Sequence, residues 1–573
     1  MEAAAVIQQD QENLLFYDIE VFKYNSFVVF KDINKKVVRI FNNTEGFVGL
    51  ADFIKGKVLV GYNNYWYDDK ILTYMIELKP QHLIKQLNDR IISGENVSYI
   101  NRLDIVSLDC FQQIDVSRPS LKKCQGNMGK AIVESSVDFS IDRPLTPEEL
   151  KESLFYCGYD VDTTIDIFIK RIKSYFQPKQ SLLEMLGNPK AARWNTTSIS
   201  AALLLEKPLD RWDKVKNIPP EMWEMVPEAV QDMWREKSES YQFKSKLNQV
   251  EIEAFDNVIQ FGFGGLHGAH KRIKKAKNVK LLDVTSMYPN IILLLNVLGA
   301  ASGKYKEILE KRIAAKKANA ILAEALKLIL NSVYGNLGNR YSMLFNQKAL
   351  LSVCIYGQIS LYALCQMISP YCTILNINTD GVAFIPERDG WQAAYLEWQK
   401  IFNLNLEEKN FDVLVQKDVN NYIAVKGDSY ICKGGDVNRF EKDEFFKNNN
   451  ARILDLALVN KLIHDIDIED TFEANLKNPH LFQYILRAGG TYQGTCLESG
   501  ELLQTKVNRV FASNEEGFCL FKKRWDNGLV RFADAPTSMF LHNGDCSTIE
   551  NFEEKLDLKH YYNIVKKRME RWI

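Results

Sequence analysis

Residues 279–291, Val-Lys-Leu-Leu-Asp-Val-Thr-Ser-Met-Tyr-Pro-Asn-Ile, constrain the fold more than any other stretch. Val279, Leu281 and Leu282 read as a short strand running into Asp283, with Tyr288 and Pro289 turning the chain just beyond. An acid at the end of an apolar strand is costly to bury unless a cation or a donor meets it. Taken alone, Asp283 is equally well a capping residue. Its reading depends on two downstream segments, 327–335 and 376–384.

A chain of 573 residues is too long for one core and implies three to five domains or subdomains. No run reaches the length of a membrane span, and residues 1–15 lack the basic start and apolar core of a signal peptide, so no membrane partner is expected. The ten cysteines are scattered, with no CxxC or Cys/His cluster, which points to reduced thiols rather than zinc or a disulfide framework. Lys and Arg number 72 against 73 Asp and Glu. A nucleic-acid contact must therefore come from local patches.

In the strand-like run 14–20, Asp18 and Glu20 are two apart and share a face. They repel there unless a divalent cation sits between them; an edge strand with solvated acids is the bland alternative. A second apolar strand, 58–61, leads to Asn63 and then Tyr67-Asp68. A helix begins at Thr146, with Pro147 at its first position, Glu149 completing a capping box, and Leu145 and Leu150 as a staple. On it Tyr156 and Asp160 are four apart and share a face.

Asn195 opens a helix through 201–205, and Trp212, Trp223 and Trp234 read as core packing. The glycine-rich run from Phe261 to Gly268 allows close backbone approach, or is a plain loop. Six of the residues 271–280 are Lys or Arg, either a solvated basic loop or a surface for phosphates. Residues 304–330 contain no Gly or Pro and read as helical, as two antiparallel helices turning near Ala318-Asn319 or as one long helix. Arg312 and Lys316 share a face, as do Lys327, Asn331 and Tyr334. Residues 373–384 read as a hairpin with Asp380 at its turn. Residues 448–478 read as amphipathic helix and 484–542 as strands. There Lys506, Arg509 and 522–524 track duplex DNA or are surface charge.

Taken together, Asp283-Val-Thr-Ser-Met-Tyr-Pro, Lys327-Leu-Ile-Leu-Asn-Ser-Val-Tyr-Gly and Asn378-Thr-Asp-Gly resemble the three polymerase motifs of family B DNA polymerases. Asp18-x-Glu20, Asn63-x3-Tyr67-Asp68 and Tyr156-x3-Asp160 resemble the DEDDy proofreading exonuclease motifs of the same family. The resemblance covers residues 14–435 and implies a multidomain α/β and α+β chain. Its parts are a ribonuclease H-like exonuclease domain (1–172), a connector (173–270), a palm in two pieces (271–303 and 339–447), short helical fingers (304–338), and a thumb with the C-terminal region (448–573).

By motif position, Asp18, Glu20, Asp68 and Asp160 hold two metal ions and Tyr156 orients the attacking water, while Asn63 touches the single-stranded 3′ end. Asp283 and Asp380, with the backbone carbonyl of Val284, hold two Mg2+ for polymerisation, and Mn2+ can substitute. Lys327 and Asn331, with Arg312 and Lys316, bind the triphosphate; Tyr334 packs on the nascent pair and Tyr288 is the steric gate. Tyr422 contacts primer phosphates, with Asn420 where the family has a lysine. Asn378 and Gly381 replace the outer acid and the serine of the usual Asp-Thr-Asp-Ser.

Intervals of 44 residues from Asp283 to Lys327 and 43 from Gly335 to Asn378 leave no room for the insertions of protein-primed phage polymerases. The implied protein is a compact, viral, monomeric enzyme in the host cytoplasm. It acts on primer-template DNA and deoxynucleoside triphosphates, alongside other replication proteins. The alternatives are an exonuclease with a degenerate polymerase half and a catalytically silent primer-template binding protein.

Overall fold

Strand β1 (Leu14–Val21) is buried at every position except Asp18 and Glu20, which are half-buried. Its alternate residues enter two cores: Leu14 and Phe16 on one face, Leu15, Tyr17, Ile19 and Val21 on the other. A strand covered on both faces needs such a near-continuous apolar run. Asp18 and Glu20 extend the Leu14–Phe16 face. The computed structural model describes residues 13–97, 106–239, 249–440, 445–447, 450–533 and 535–573. The chain divides into two units.

In the first unit β1 centres a five-stranded sheet ordered β3-β2-β1-β4-β5, with β2 (Ser26–Lys31), β3 (Val37–Asn42), β4 (Val58–Gly61) and β5 (Val106–Asp109). β1–β3 form an antiparallel meander, while β4 and β5 run parallel to β1. Helix α1 (Asp68–Ile76) follows β4, α2 (Leu121–Asn127) follows β5, and α3 (Pro147–Arg171) packs Phe168 edge-on against Phe16 at 5.2 Å. The capping box of Thr146 and Glu149 is present, with Pro147 in the first turn. These bonds satisfy two N–H groups that helix geometry orphans.

The second unit is built on a nine-stranded sheet ordered β14-β13-β12-β9-β11-β10-β8-β7-β6, antiparallel at every step. Its strands are β6 (Val250–Ala254), β7 (Asn257–Phe261), β8 (His267–His270), β9 (Lys275–Val284), β10 (Cys372–Asn378), β11 (Gly381–Pro386), β12 (Leu406–Asp418), β13 (Asn421–Lys426) and β14 (Ser429–Lys433). The basic run at 271–280 is therefore largely strand, not loop. Ala276 and Val279, three apart, are buried in one core cluster, and Lys280 pairs with Glu408 at 3.0 Å.

Beyond the end of β9, α4 (Met287–Leu294) packs against three further helices, α5 (Ser302–Ala318), α6 (Ala320–Leu337) and α7 (Gln347–Ile368). The Gly-free stretch is two helices, because Asn319 leaves helical geometry and its side chain accepts from Leu322 N at 3.0 Å, capping α6. α7 is long and apolar enough to cross a membrane, but 89% of its most apolar window is buried inside the protein.

Residues 444–451 and 475–558 belong to the first unit. They add two three-stranded sheets, β15 (Tyr484–Arg487) with β17 (Val507–Ala512) and β20 (Met539–Leu541), and β16 (Gly494–Cys496) with β18 (Phe521–Lys523) and β19 (Leu529–Arg531). Arg509 is fully buried and donates to the carbonyls of Gly126 (3.2 Å), Lys130 (2.6 Å) and Gly544, and to Gln483 Oε1 (2.7 Å). Arg509 is thus a structural post under α2 rather than surface charge.

Candidate functional site

Each unit holds a group of acids. In the first, carboxylate oxygens of Asp18, Glu20 and Asp160 lie within 4.8 Å of one another. β1 supplies two of them by its period of two, and the long helix α3 supplies the third. Asp68, at the start of α1, stands outside that triplet but lines the same cleft, of about 760 Å3, together with Asn63 and Arg487. Its neighbour Asp69 is engaged elsewhere, by Tyr17, Arg193, Asn64 (3.2 Å) and Ser107 (3.1 Å).

Burial, then the charge of Asp160, pushes Asp18 up to about 7. Glu20 is raised by burial and by Asp18, and Asp68 likewise. Asp160 is raised by burial although Lys122 opposes it. Like charges this close disfavour joint ionisation unless a cation neutralises them. One oxygen of Asp68, Oδ1, is buried and has no hydrogen-bond partner. A hard, all-oxygen set with an unsatisfied lone pair fits a divalent ion such as Mg2+.

Two residues absent from the sequence reading join this centre. Lys122 Nζ, from α2, pairs with Asp160 at 2.6 Å and lies 4.1 Å from the ring of Tyr156. Gln125, one turn on, donates to Asp160 at 3.0 Å. Nothing local in the sequence marks them, because the partner lies 38 and 35 residues away. Asn63, at a positive φ of 63°, is held by its N–H to Asp109 Oδ1 at 2.7 Å; Phe111 N donates to the same oxygen.

In the second unit Asp283, the penultimate residue of β9, lies directly opposite Gly381, and Asp380 precedes Gly381 in the β10–β11 turn. Val284 N donates to the Asp380 carbonyl at 2.7 Å, tying strand to turn. Burial, then the Asp283 charge, raises Asp380 to about 6. Lys409, from β12, forms an ion pair with Asp283; its distance of 126 residues kept it from view in the sequence. The hydroxyl of Tyr422 is raised by burial, then by Asp380 and Asp283.

Asn378 points its amide elsewhere, donating to Val419 O at 3.0 Å. The glycine-rich run packs against the same turn. Thr379 N donates to Leu266 O at 2.9 Å, His267 Nε2 lies 3.1 Å from Thr379 Oγ1, and a Cβ on Gly265 would come within 2.6 Å of that oxygen. Buried Gln358 of α7 clamps the run, donating to Gly262 O and Gly264 O, both at 2.7 Å, and accepting from Gly262 N at 3.2 Å. Gly265 answers a close approach, not chain freedom.

Tyr288 and Tyr334 stack at 4.1 Å with an interplanar angle of 10°, and Tyr334 Oη lies 2.9 Å from Cys354 Sγ. Arg312 donates to Ser286 Oγ at 3.2 Å. Lys327 pairs with Glu324 at 3.0 Å, while Lys316 and Asn331 are exposed. Among the described residues, none of Lys316, Lys327 and Asn331 bonds to either acid.

No family model matches the sequence, and no curated protein matches it. Among solved structures, the family B DNA polymerase from the hyperthermophilic archaeon Pyrobaculum calidifontis aligns with 98% of this chain and 77% of its own, at 12% identity and a TM-score of 0.43. The chain is a mixed α/β, multi-unit protein carrying two acid-lined centres.

Proposed function

We propose that the chain is a DNA-templated DNA polymerase with a separate 3′-to-5′ exonuclease, the exonuclease in the first unit and the polymerase in the second. The observation that carries this reading is the convergence of motif residues distant in sequence. Asp18, Glu20 and Asp160 gather their oxygens within 4.8 Å, and Asp283 faces the turn that bears Asp380. The meander β1–β3 followed by parallel β4 and β5 supports a ribonuclease H-like exonuclease domain. The antiparallel sheet with its helical hairpin α5–α6 supports a palm and fingers.

Bound Mg2+, two at each centre, would activate the attacking oxygen and stabilise the leaving one in phosphoryl transfer. In the first unit Asp18, Glu20, Asp68 and Asp160 would hold the metals. Tyr156 orients the water, Lys122 balances the charge on Asp160, and Asn63 meets the 3′ end. In the second, Asp283, Asp380 and the Val284 carbonyl would hold them, with Lys409 withdrawn from Asp283. Tyr288 lies beneath the sugar with Tyr334 against it. Lys327, Asn331, Arg312 and Lys316 face the triphosphate, and Tyr422 faces the primer. Primer-template DNA and dNTPs are the substrates, and the compact intervals fit an ordinary nucleic-acid primer and a phage origin.

A nuclease without polymerisation draws support from one fact: among the described residues, only the first unit gathers three metal-ligating side chains. A primer-extension assay separates the readings. With Mg2+ and dNTPs the primer lengthens, without dNTPs it shortens from the 3′ end, and EDTA stops both. Shortening alone, even with dNTPs saturating, selects the nuclease.

A further inference from the structure

Beside the carboxylate cleft lies a second one, of about 520 Å3, sharing Phe111 and Arg118 with it. Three cation–ring pairs line it. Lys70 Nζ is 5.7 Å from the Trp66 ring, the Arg118 guanidinium 5.5 Å from Phe111, and that of Arg193 4.7 Å from Tyr65. Arg193 is committed to Asp69, and the two acids of the cleft are occupied as well. Asp109 accepts from Asn63 N and Phe111 N, and Asp115 from Ser117 N at 2.8 Å. Lys70 and Arg118 form no ion pair among the described residues. Trp66 is 60% exposed, three residues after Asn63 and two before Asp68, so one loop rims both clefts.

We propose that this second cleft is a nucleotide subsite for a single strand whose 3′ end occupies the carboxylate cleft. Trp66 stacks on a base, and Lys70 and Arg118 take the intervening phosphates. Every base offers a π-face, so stacking on an exposed ring is sequence-tolerant, and cations interleaved with rings track a phosphodiester backbone. Arg118 and Phe111 belong to both clefts and give the strand a continuous path. The assignment rests on the reading of the first unit as a 3′-to-5′ exonuclease.

The test compares Mg2+-dependent degradation of the dinucleotide dT2, which covers only the carboxylate cleft, with that of dT6, using the full chain. In the wild type, kcat/KM for dT6 exceeds that for dT2 by roughly five- to a hundredfold, the worth of one stacked base. Trp66→Ala removes that excess through KM, Trp66→Phe retains most of it, and Lys70→Gln lowers the salt dependence for dT6 alone. An excess unchanged in Trp66→Ala overturns the subsite and leaves the exonuclease standing. No degradation of either oligonucleotide by the wild type overturns the exonuclease reading, and the subsite with it.

Discussion

The bond from Asn378 to the Val419 carbonyl at 3.0 Å requires a donor, which a carboxylate lacks. That bond anchors the β10–β11 turn to the turn after β12. Losing one such bond costs about 1 kcal/mol, so Asn378→Ala should slow extension by only a few-fold. Asp380→Asn should slow it by roughly a thousandfold or more, since a metal clamp is worth several kcal/mol. Single-turnover extension at saturating Mg2+ measures both; equal, severe losses would make Asn378 a ligand or an indispensable support. Asp109 gives a second case. Burial, opposed by two N–H donors, holds its carboxyl up at about 6, against 3.8 for the free group. Its raised pKa means that its share of stability is fully present below pH 3.8 and is lost as pH rises through 6. Asp109→Asn should thus flatten the fall in stability between pH 4 and 6 by up to about 1.4 kcal/mol per pH unit. Urea melts of both proteins at pH 4, 5, 6 and 7 give the slopes, and parallel curves would reject the assignment.

Gln358 is a polar residue within the apolar helix α7, and its three bonds to the glycine-rich run hold that run against the Asp380 turn. Gln358→Leu leaves the buried Gly262 carbonyl and the half-buried Gly264 carbonyl without their donor, at about 1–3 kcal/mol for the buried one. The expected outcome is a lower urea midpoint and slower extension with exonuclease activity unchanged; an unaltered extension rate would show that the run needs no clamp. Elements like this divide what a sequence can reveal from what it hides. The capping box at Thr146, the hairpin around Asp380 and the break at Asn319 were legible, because each is set by residues within about four positions. The i, i+2 and i, i+4 pairings of Asp18 with Glu20 and Tyr156 with Asp160 were legible for the same reason. Lys122, Lys409 and Gln358 were not, since their partners are fixed by packing across 38 to 126 residues. The strands after residue 484 were visible as strands, but their association with the first unit leaves no periodic mark.

On the proposed reading, the acids of the two units serve two activities that mutation can separate. Asp18→Ala should abolish degradation of a single-stranded 3′ end and leave extension intact, as shown by gel assays of one preparation with and without dNTPs. Undiminished degradation would remove Asp18 from the reaction. The first unit is also discontinuous in the chain, closing only when residues 475–558 join residues 1–199. That discontinuity sets a schedule for synthesis. At 5–20 residues per second, the ribosome needs roughly 20–70 seconds to travel from the first part to the last. For most of that interval Arg509, the donor to the carbonyls of Gly126 and Lys130, has not yet been synthesised. The N-terminal third emerges first and is completed last, so the packing around Asp18, Glu20 and Asp160 would become final only near the end of translation.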